Sequence, residues 1–344
     1  MWHELKLPIL LAIIFSCLTV STAGDTGRLT NVGTTAASFL EVGIGSRAIA
    51  MGGAFVAVAN DASGIYWNPA GISRLRNGEF IFEHIDWLID ISFNHVGAVI
   101  PLQRYGSLGA FVTSVTIPRM KVRTVEYADG TGEYFNASNL VFGLSYAKNL
   151  TDRFSLGMNV KYISERIWHE QAQSIALDIG TLYHTGLGGL VIGACISNFG
   201  SSMQMDGSDL IIYHDTDPLI DGNNDRIMGK MLTDKWPIPL NMQFGVSYTF
   251  LNTKATRLVM AVDALHPINN TESVNTGFEW SLFNTLFIRG GYKALGQQDS
   301  EEGLTLGGGL RYKLFGSSAI RVDYAYADFG RLPDVQRFTL YLQF

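Results

Sequence analysis

Residues 43–75 read GIGSRAIAMGGAFVAVANDASGIYWNPAGISRL and form the long segment before Glu79 that lacks the alternation of a β-strand. Glycine and alanine dominate this stretch, and such small residues let one backbone approach another closely. It ends in Asn68-Pro69-Ala70-Gly71, where Asn suits a helix N-cap and Pro suits the first helical position. We therefore predict a short helix from near Pro69 to about Leu75, in a segment that plugs a larger structure.

The chain after Glu79 divides into segments of about ten residues whose polarity alternates. Outer-membrane strands need about 9–11 residues, with lipid-facing apolar positions alternating with polar ones. Residues 154–162 follow this pattern, with Leu156 and Met158 on one face and Ser155 and Asn159 on the other. About fourteen segments fit the template, and they begin near Glu79, Phe93, Ser107, Ala137, Phe154, Ser174, Gly189, Leu240, Thr256, Ser273, Thr285, Leu304, Ala319 and Val335.

The connections between these segments alternate between short and long. Membrane barrels have short periplasmic turns and longer outer loops. The sequence therefore predicts an all-β fold, a transmembrane antiparallel up-and-down β-barrel of about 14 strands with a small N-terminal helical plug. With an even strand number, both termini are expected on the periplasmic side of a Gram-negative outer membrane. The expected organisation is a signal peptide (1–23), a plug segment (24–78) and a barrel (79–344).

The composition supports a membrane barrel over a soluble β-sandwich. Charged residues make up 16% of the chain and hydrophobic residues 47%, with 37 glycines, whereas soluble domains carry about 25% charged residues. A soluble sandwich would need charged outer faces, but here the polar faces are mostly Ser, Thr, Gly and Asn. The net charge of −6 argues against a nucleic-acid partner. The expected surroundings are outer-membrane lipid.

Residues 1–23 have the features of a secretory signal peptide. An apolar core follows Lys6, and small residues precede a cleavage position near Ala23 and Gly24. Lipoprotein processing at Cys17 and a retained membrane anchor are the alternatives. If Cys17 is removed, the remaining Cys195 has no partner for an internal disulfide, and we interpret it as a packing residue.

Several motifs of the early segment resemble one family. They are Gly45-Ser46-Arg47-Ala48, Met51-Gly52-Gly53-Ala54, Ala59-Asn60-Asp61-Ala62 and Trp67-Asn68-Pro69-Ala70-Gly71. Together they resemble the PorV/PorQ family of outer-membrane proteins, which is related to the FadL-type hydrophobe transporters. His84, Trp87 and Asp90 look like the next block of that family. The resemblance is strong over residues 43–102 and rests on the strand pattern alone thereafter.

The resemblance implies two functions, neither of them enzymatic. The first is a type IX secretion-associated component that binds or shuttles secreted cargo proteins, or holds a surface-attachment enzyme, through its outer loops. The alternative is FadL-like transport of hydrophobic small molecules such as fatty acids, with plug movement around residues 68–71. A continuous apolar pocket from the outer loops to residues 55–67 would favour transport. A sealed lumen with an exposed apolar loop patch would favour protein binding.

The candidate site residues fall into two groups. The plug or gate motif consists of Arg47, Gly52, Gly53, Asp61, Trp67, Asn68, Pro69 and Gly71. The plug is expected to contact the barrel through His84, Trp87 and Asp90. Charges also cluster on inward positions of the late strands, namely Asp263, Glu279, Arg289, Lys293, Arg311, Arg321 and Asp323. We interpret these as a structural network of opposite signs rather than a substrate path.

An acidic loop is the one candidate for a metal site. Asp215, Asp217, Asp221 and Asp225 could offer oxygen ligands to Ca²⁺. The spacing lacks the phasing and the distant Glu of an EF-hand, and a solvated loop is the favoured interpretation. We expect no cofactor, and the histidines are scattered without the spacing of metal ligands. We expect no enzymatic activity, because no Gly-x-Ser-x-Gly motif marks a catalytic nucleophile.

Overall fold

Fourteen long antiparallel strands form a closed barrel in the computed structural model, which describes residues 32–217, 219, 226–297 and 300–344. Consecutive strands pair along the chain, and the first strand pairs with the last, so the sheet closes on itself. The predicted all-β barrel of about fourteen strands is therefore confirmed.

The strands begin close to the predicted positions. They are β1 (Glu79–Asp86), β2 (Ser92–Pro101), β3 (Ser107–Thr116), β4 (Ala137–Asn149), β5 (Phe154–Ile167), β6 (Glu170–His184), β7 (Leu190–Gly200), β8 (Asn241–Asn252), β9 (Thr256–Pro267), β10 (Ser273–Leu282), β11 (Leu286–Leu295), β12 (Leu304–Lys313), β13 (Ala319–Ala327) and β14 (Val335–Gln343). Only β6 begins away from its predicted position, at Glu170 rather than near Ser174. The longer connection expected over 164–173 is a tight turn, because the paired strands continue through polar residues to Trp168, whose φ is 53°.

Side chains alternate between the two faces of the barrel wall as predicted. On β5, Leu156, Met158 and Val160 point outward and are 40–46% exposed, while Ser155 and Asn159 are buried. The exterior is therefore an apolar band suited to lipid. The interior combines polar side chains with buried apolar ones such as Phe93 and Phe111, which belong to the same core cluster as the apolar residues of the segment before β1. None of the helices in the described part of the chain is long and apolar enough to span a membrane.

The two ends of the barrel differ in the length of their connections. The short-turn end comprises residues 102–106, 150–153, 185–189, 253–255, 283–285 and 314–318. The long-loop end comprises residues 87–91, 117–136, 168–169, 201–240, 268–272, 296–303 and 328–334. The loop of residues 201–240 carries a two-stranded ribbon, Ile211–His214 paired with Ile227–Lys230, which we call the loop hairpin.

The segment before β1 fills the lumen. It contains two short α-helices, α1 (Ser46–Ala50) and α2 (Gly64–Trp67), and two 3₁₀-helices, Ser38–Glu41 and Pro69–Arg74. The helix predicted from Pro69 is thus present, as a 3₁₀-helix. The predicted cap is confirmed, because Asn68 Oδ1 accepts a hydrogen bond of 3.1 Å from the backbone N–H of Ala70. We call residues 32–78 the plug.

The plug crosses the lumen from one end to the other. At the long-loop end, the N–H of Ala36 donates to the carbonyl of Pro237 at 2.9 Å. At the short-turn end, Arg74 Nη1 donates to the carbonyl of Asp152 at 3.0 Å. Phe344 also lies at the short-turn end, where its N–H donates to Gly78 at 2.9 Å. The predicted signal peptide and the N terminus lie outside the described residues. The first part of the plug, residues 33–42, lies at the long-loop end, opposite to Phe344.

Candidate functional site

Six charged side chains form a closed ring inside the lumen, which we call the charge ring. Cation and anion alternate around it, and its six contacts are 2.7–2.9 Å long. The order is Arg47, Glu279, Arg289, Asp323, Arg321, Asp61 and back to Arg47. The plug supplies Arg47 and Asp61, and the barrel wall supplies the other four. The ring therefore closes only when the plug is in the lumen, and its formal charges sum to zero.

Arg47 is the main link between the plug and the wall. It lies on α1, which follows the left-handed turn at Gly45 (φ 87°). Its Nε and Nη2 donate to the two carboxylate oxygens of Glu279 at 2.7 and 2.8 Å. Its Nη1 donates to Asp61 Oδ2 at 2.9 Å and to Asn60 Oδ1 at 2.6 Å. Such two-pronged guanidinium–carboxylate pairing fixes geometry as well as charge.

Asp61 links Arg47 of the plug to Arg321 of strand β13. Its Oδ2 accepts from Arg321 Nη2 at 2.7 Å, and its Oδ1 accepts from the N–H of Ser63 at 3.0 Å. Burial by itself would raise the pKa of Asp61, but the nearby Arg321 and Arg47 outweigh it and hold that pKa well below its usual range. Asp61 is therefore ionised at neutral pH, as the pairing requires.

Wall carboxylates also accept hydrogen bonds from plug backbone amides. Asp263 accepts from the N–H groups of Phe55 and Val56 at 2.7 and 2.9 Å. Glu83 accepts from Gly45 and Glu79 accepts from Ala62, each at 2.7 Å. Asp263 was predicted from the sequence as an inward-facing charge, whereas Glu79 and Glu83 were not. The alternation of β1, which turns Glu79 and Glu83 to the same side as Ile81, is the signal that could have found them.

The Asn68-Pro69-Ala70-Gly71 motif ties the plug to itself and to the wall. Asn68 Nδ2 donates to the carbonyls of Val56 at 2.8 Å and Thr181 at 3.0 Å. Gly71 lies so close to the preceding plug segment that an added Cβ would be 2.2 Å from the carbonyl oxygen of Ala59. Trp67 Nε1 donates to the carbonyl of Ile44 at 2.7 Å. The motif therefore closes the plug rather than leaving it loose.

Gly52 and Gly53 bring the plug backbone against strands β10 and β11. Both have left-handed backbones, with φ of 66° and 75°. A Cβ on Gly52 would lie 2.7–2.8 Å from backbone atoms of Thr276 and Tyr292. The close approach and the backbone conformation both require glycine here.

Of the predicted plug contacts His84, Trp87 and Asp90, the structure places only Trp87 near the plug. His84 was expected to contact the plug, but the alternation of β1 turns it outward, where its Nδ1 is 2.7 Å from Asn94 Oδ1. Asp90 is exposed in the connection after β1, at φ 56°. Trp87 alone lies near the plug, since the guanidinium of Arg337 sits 5.0 Å above its ring and donates to the carbonyl of Gly43.

The remaining predicted residues lie away from the charge ring. Lys293 pairs with Glu302 at 2.5 Å near the long-loop end, and Arg311 donates to Gln343. In the acidic loop, the N–H of Asp217 donates to Asp215 Oδ1 at 3.0 Å, whereas Asp221 and Asp225 are outside the described residues. Among the described residues, no cluster of three His, Cys, Asp or Glu side chains could hold a metal ion.

A small apolar cavity separates the plug from one side of the wall. Its volume is about 30 Å³, and its lining includes Phe39, Ile65, Phe93 and Phe111. The ion pair of Lys161 and Asp178, at 2.7 Å, also borders it. An engineered cavity that binds benzene measures about 150 Å³. This cavity is too small for such a ligand, and the plug and its charge pairs occupy the lumen around it. A more open pocket of about 330 Å³ lies at the long-loop end, and its lining includes Thr35, Met203 and Trp236.

The loop hairpin differs from the lumen, because its apolar side chains are exposed at the long-loop end. Tyr213 and Met228 are 67% and 66% exposed, and Leu232, just beyond the hairpin, is 87% exposed. Ile211, Ile212 and Ile227 are exposed as well. Contiguous exposed apolar surface on a folded protein marks an interaction site.

Several solved structures with similar folds are hydrocarbon channels or transporters. The CymD monoaromatic hydrocarbon channel aligns with a TM-score of 0.56 at 12% identity, covering 88% of this chain and 97% of that one. The Ralstonia pickettii toluene transporter TbuX aligns with a TM-score of 0.55 at 14% identity, covering 88% and 98%. The P. putida toluene transporter TodX gives 0.55 at 10%, covering 88% and 97%. At these identities the likeness concerns the fold alone.

A family match identifies the chain more specifically. No curated protein matches it. The family described as type IX secretion system protein PorV matches residues 26–228, which is more than half of the chain. Together with the closed barrel and its apolar exterior, this shows that the protein is an outer-membrane β-barrel that belongs to the PorV family of type IX secretion system proteins.

Proposed function

We propose that this protein is a non-enzymatic, type IX secretion-associated component that holds secreted proteins, or a surface-attachment enzyme, at its long-loop end. In this proposal the short turns and Phe344 face the periplasm and the long loops face the outside. One contrast carries the proposal. The lumen is occupied by a plug bound through the charge ring, while the loop hairpin presents apolar side chains to solvent.

The loop hairpin has the chemistry of a protein-binding surface. Its two strands pair with each other and form a separate two-stranded sheet among the described residues. Among the described residues, neither strand pairs with a third strand, and the open edge of such a ribbon accepts an added strand from a partner. Side chains such as Tyr213 and Met228 would supply apolar contacts to that partner.

The test is capture of secreted proteins from intact outer membranes by the affinity-tagged protein. The test variant carries Tyr213→Ser and Met228→Ser in the loop hairpin. The matched control carries Val125→Ser and Tyr127→Ser, which remove exposed apolar side chains from another long loop at the same end. We expect capture to fall at least about tenfold in the hairpin variant, because removing apolar side chains that a partner buries weakens binding by about this much. Capture should persist in the control. Equal capture by the wild type and the hairpin variant would refute the proposal.

Transport of hydrophobic small molecules is the second candidate. The observation in its favour is the apolar lining of the cavity between the plug and the wall. The cavity would have to grow to admit a ligand, so the plug would have to move and break contacts such as Arg47 with Glu279. Wild-type protein that retains a co-purified lipid or hydrocarbon and no secreted protein would support this candidate over the first.

A further inference from the structure

The two ends of the barrel carry opposite charge. At the short-turn end, exposed cations project from the turns or from adjacent strand ends, and we call them the basic rim: Arg76, Arg104, Lys148, Arg153, Lys254 and Lys313. Within the described turns of that end, Asp152 is the single acidic side chain. At the long-loop end, acidic side chains outnumber basic ones among the described residues. The asymmetry places a positive potential at one end of the molecule.

Large apolar side chains accompany these cations at the tips of the short turns. Tyr105, Leu187 and Phe283 are exposed, and Phe315 is 92% exposed, so protein atoms barely cover it. Aromatic side chains beside Lys and Arg are typical of the boundary between lipid tails and headgroups. Turns this short also keep their tips close to the end of the apolar band. The basic rim therefore lies at headgroup level.

The cations are spread around the circumference rather than gathered on one side. Arg76 precedes β1, Arg104 lies between β2 and β3, Lys254 lies between β8 and β9, and Lys313 ends β12. A single protein partner would contact one arc of such a circle. A shell of lipid contacts all of it, and anionic headgroups complement its charge.

We propose that the basic rim binds the phosphates of anionic phospholipids in the leaflet next to the short turns. The rim selects these lipids over zwitterionic ones, and the selection anchors the barrel at a fixed depth. Because the contacts are exposed and electrostatic, they weaken as salt rises. This lipid site is separate from the loop hairpin, which lies at the opposite end.

The experiment uses the full-length purified protein in nanodiscs of phosphatidylethanolamine with phosphatidylglycerol. Native mass spectrometry after lipid release counts the lipids of each class that stay bound. The rim variant carries Arg104→Gln, Lys148→Gln, Lys254→Gln and Lys313→Gln. The matched control carries Arg119→Gln, Lys121→Gln, Arg123→Gln and Lys235→Gln, which remove the same charge from exposed positions in the long loops.

We expect the wild type and the control to retain phosphatidylglycerol in preference to phosphatidylethanolamine by at least about fivefold. A preference of this size needs only about one favourable contact between a cation and an anionic headgroup. The rim variant loses this preference, and 0.5 M salt removes it from the wild type. The proposal is overturned if the wild type shows no preference or if both variants lose it equally. Capture of secreted proteins is scored separately, so failure of one proposal leaves the other standing.

Discussion

Arg47 of the plug and Glu279 of strand β10, 232 residues apart in the chain, are joined by two hydrogen bonds of 2.7 and 2.8 Å. Both side chains are almost fully buried. The pair holds the early segment and the barrel wall in one arrangement, because neither charge can be left alone in the lumen without a large desolvation cost. The plug is therefore an integral part of the folded barrel.

Replacing Arg47 should destabilise the protein strongly. Arg47→Ala leaves Glu279 and Asp61 buried with one partner fewer each, and breaking a buried pair in this way costs about 3–5 kcal/mol. Urea unfolding in detergent, followed by tryptophan fluorescence, measures the loss. Arg104→Ala, at an exposed position, should change the free energy of unfolding by less than about 0.5 kcal/mol. Similar losses in the two variants would contradict the role of the charge ring.

Gly71→Ala tests the close contact within the plug. The added Cβ would meet the carbonyl oxygen of Ala59 at 2.2 Å, and forcing such an overlap costs about 1–3 kcal/mol or more. Gly308→Ala is the matched control, because its nearest neighbour would be 3.5 Å away. The same unfolding assay reports both. A Gly71→Ala protein as stable as the wild type would mean that the Asn68–Gly71 turn has room for the added methyl group, against the 2.2 Å approach.

Asn68→Ala should also loosen the plug. The variant leaves the carbonyls of Val56 and Thr181 without this donor and removes the cap on Ala70, for a combined cost of about 2–4 kcal/mol. Limited proteolysis of the folded protein should then cut the plug faster than in the wild type. Asn77→Ala, at a half-buried position near the start of β1, should leave the cleavage rate unchanged. Equal cleavage rates for all three proteins would show that the hydrogen bonds of Asn68 do not hold the plug in place.

The charge ring also predicts a dependence on pH. The pKa of Asp61 is held below its usual range by Arg321 and Arg47, so the stability that it contributes is fully present above its unfolded pKa of about 3.9. That contribution is lost as pH falls below this value toward the depressed folded pKa. Melting temperature measured from pH 3 to pH 8 should therefore drop at the acid end. Asp61→Asn should be less stable at pH 7 and should lose part of the acid drop; an unchanged profile would count against the pairing.

The sequence predicted the barrel because its signal is local. A strand of ten residues shows its alternation within its own length, as β5 does with Leu156 and Ser155, and thirteen of the fourteen starts lie within one residue of the predicted positions. The plug contact expected for His84 was wrong because the local strand pattern was not applied to it. Its place in a family-like block suggested a plug contact, but the two-residue period of β1 turns it outward.

The charge ring could be predicted only as separate pieces. The sequence marked Arg47 and Asp61 as motif residues, and Glu279, Arg289, Arg321 and Asp323 as lumen charges. Their pairing depends on the register of three strands and on the path of the plug between them, and a single sequence does not contain that geometry. The tight turn at Trp168 was missed because its polar flanks resemble a loop.

In the function that we propose, the long-loop end binds partners while the plug stays in place. A disulfide tests this, formed by Ser46→Cys with Thr339→Cys in a protein whose Cys17 and Cys195 are alanine. The two native side-chain oxygens are 2.7 Å apart, so the cysteines are placed to form a disulfide between the plug and β14. We predict that the oxidised, locked protein captures secreted proteins as well as the reduced protein does. Capture that appears only after reduction, or uptake of a hydrophobic ligand that the disulfide blocks, would contradict the proposed function.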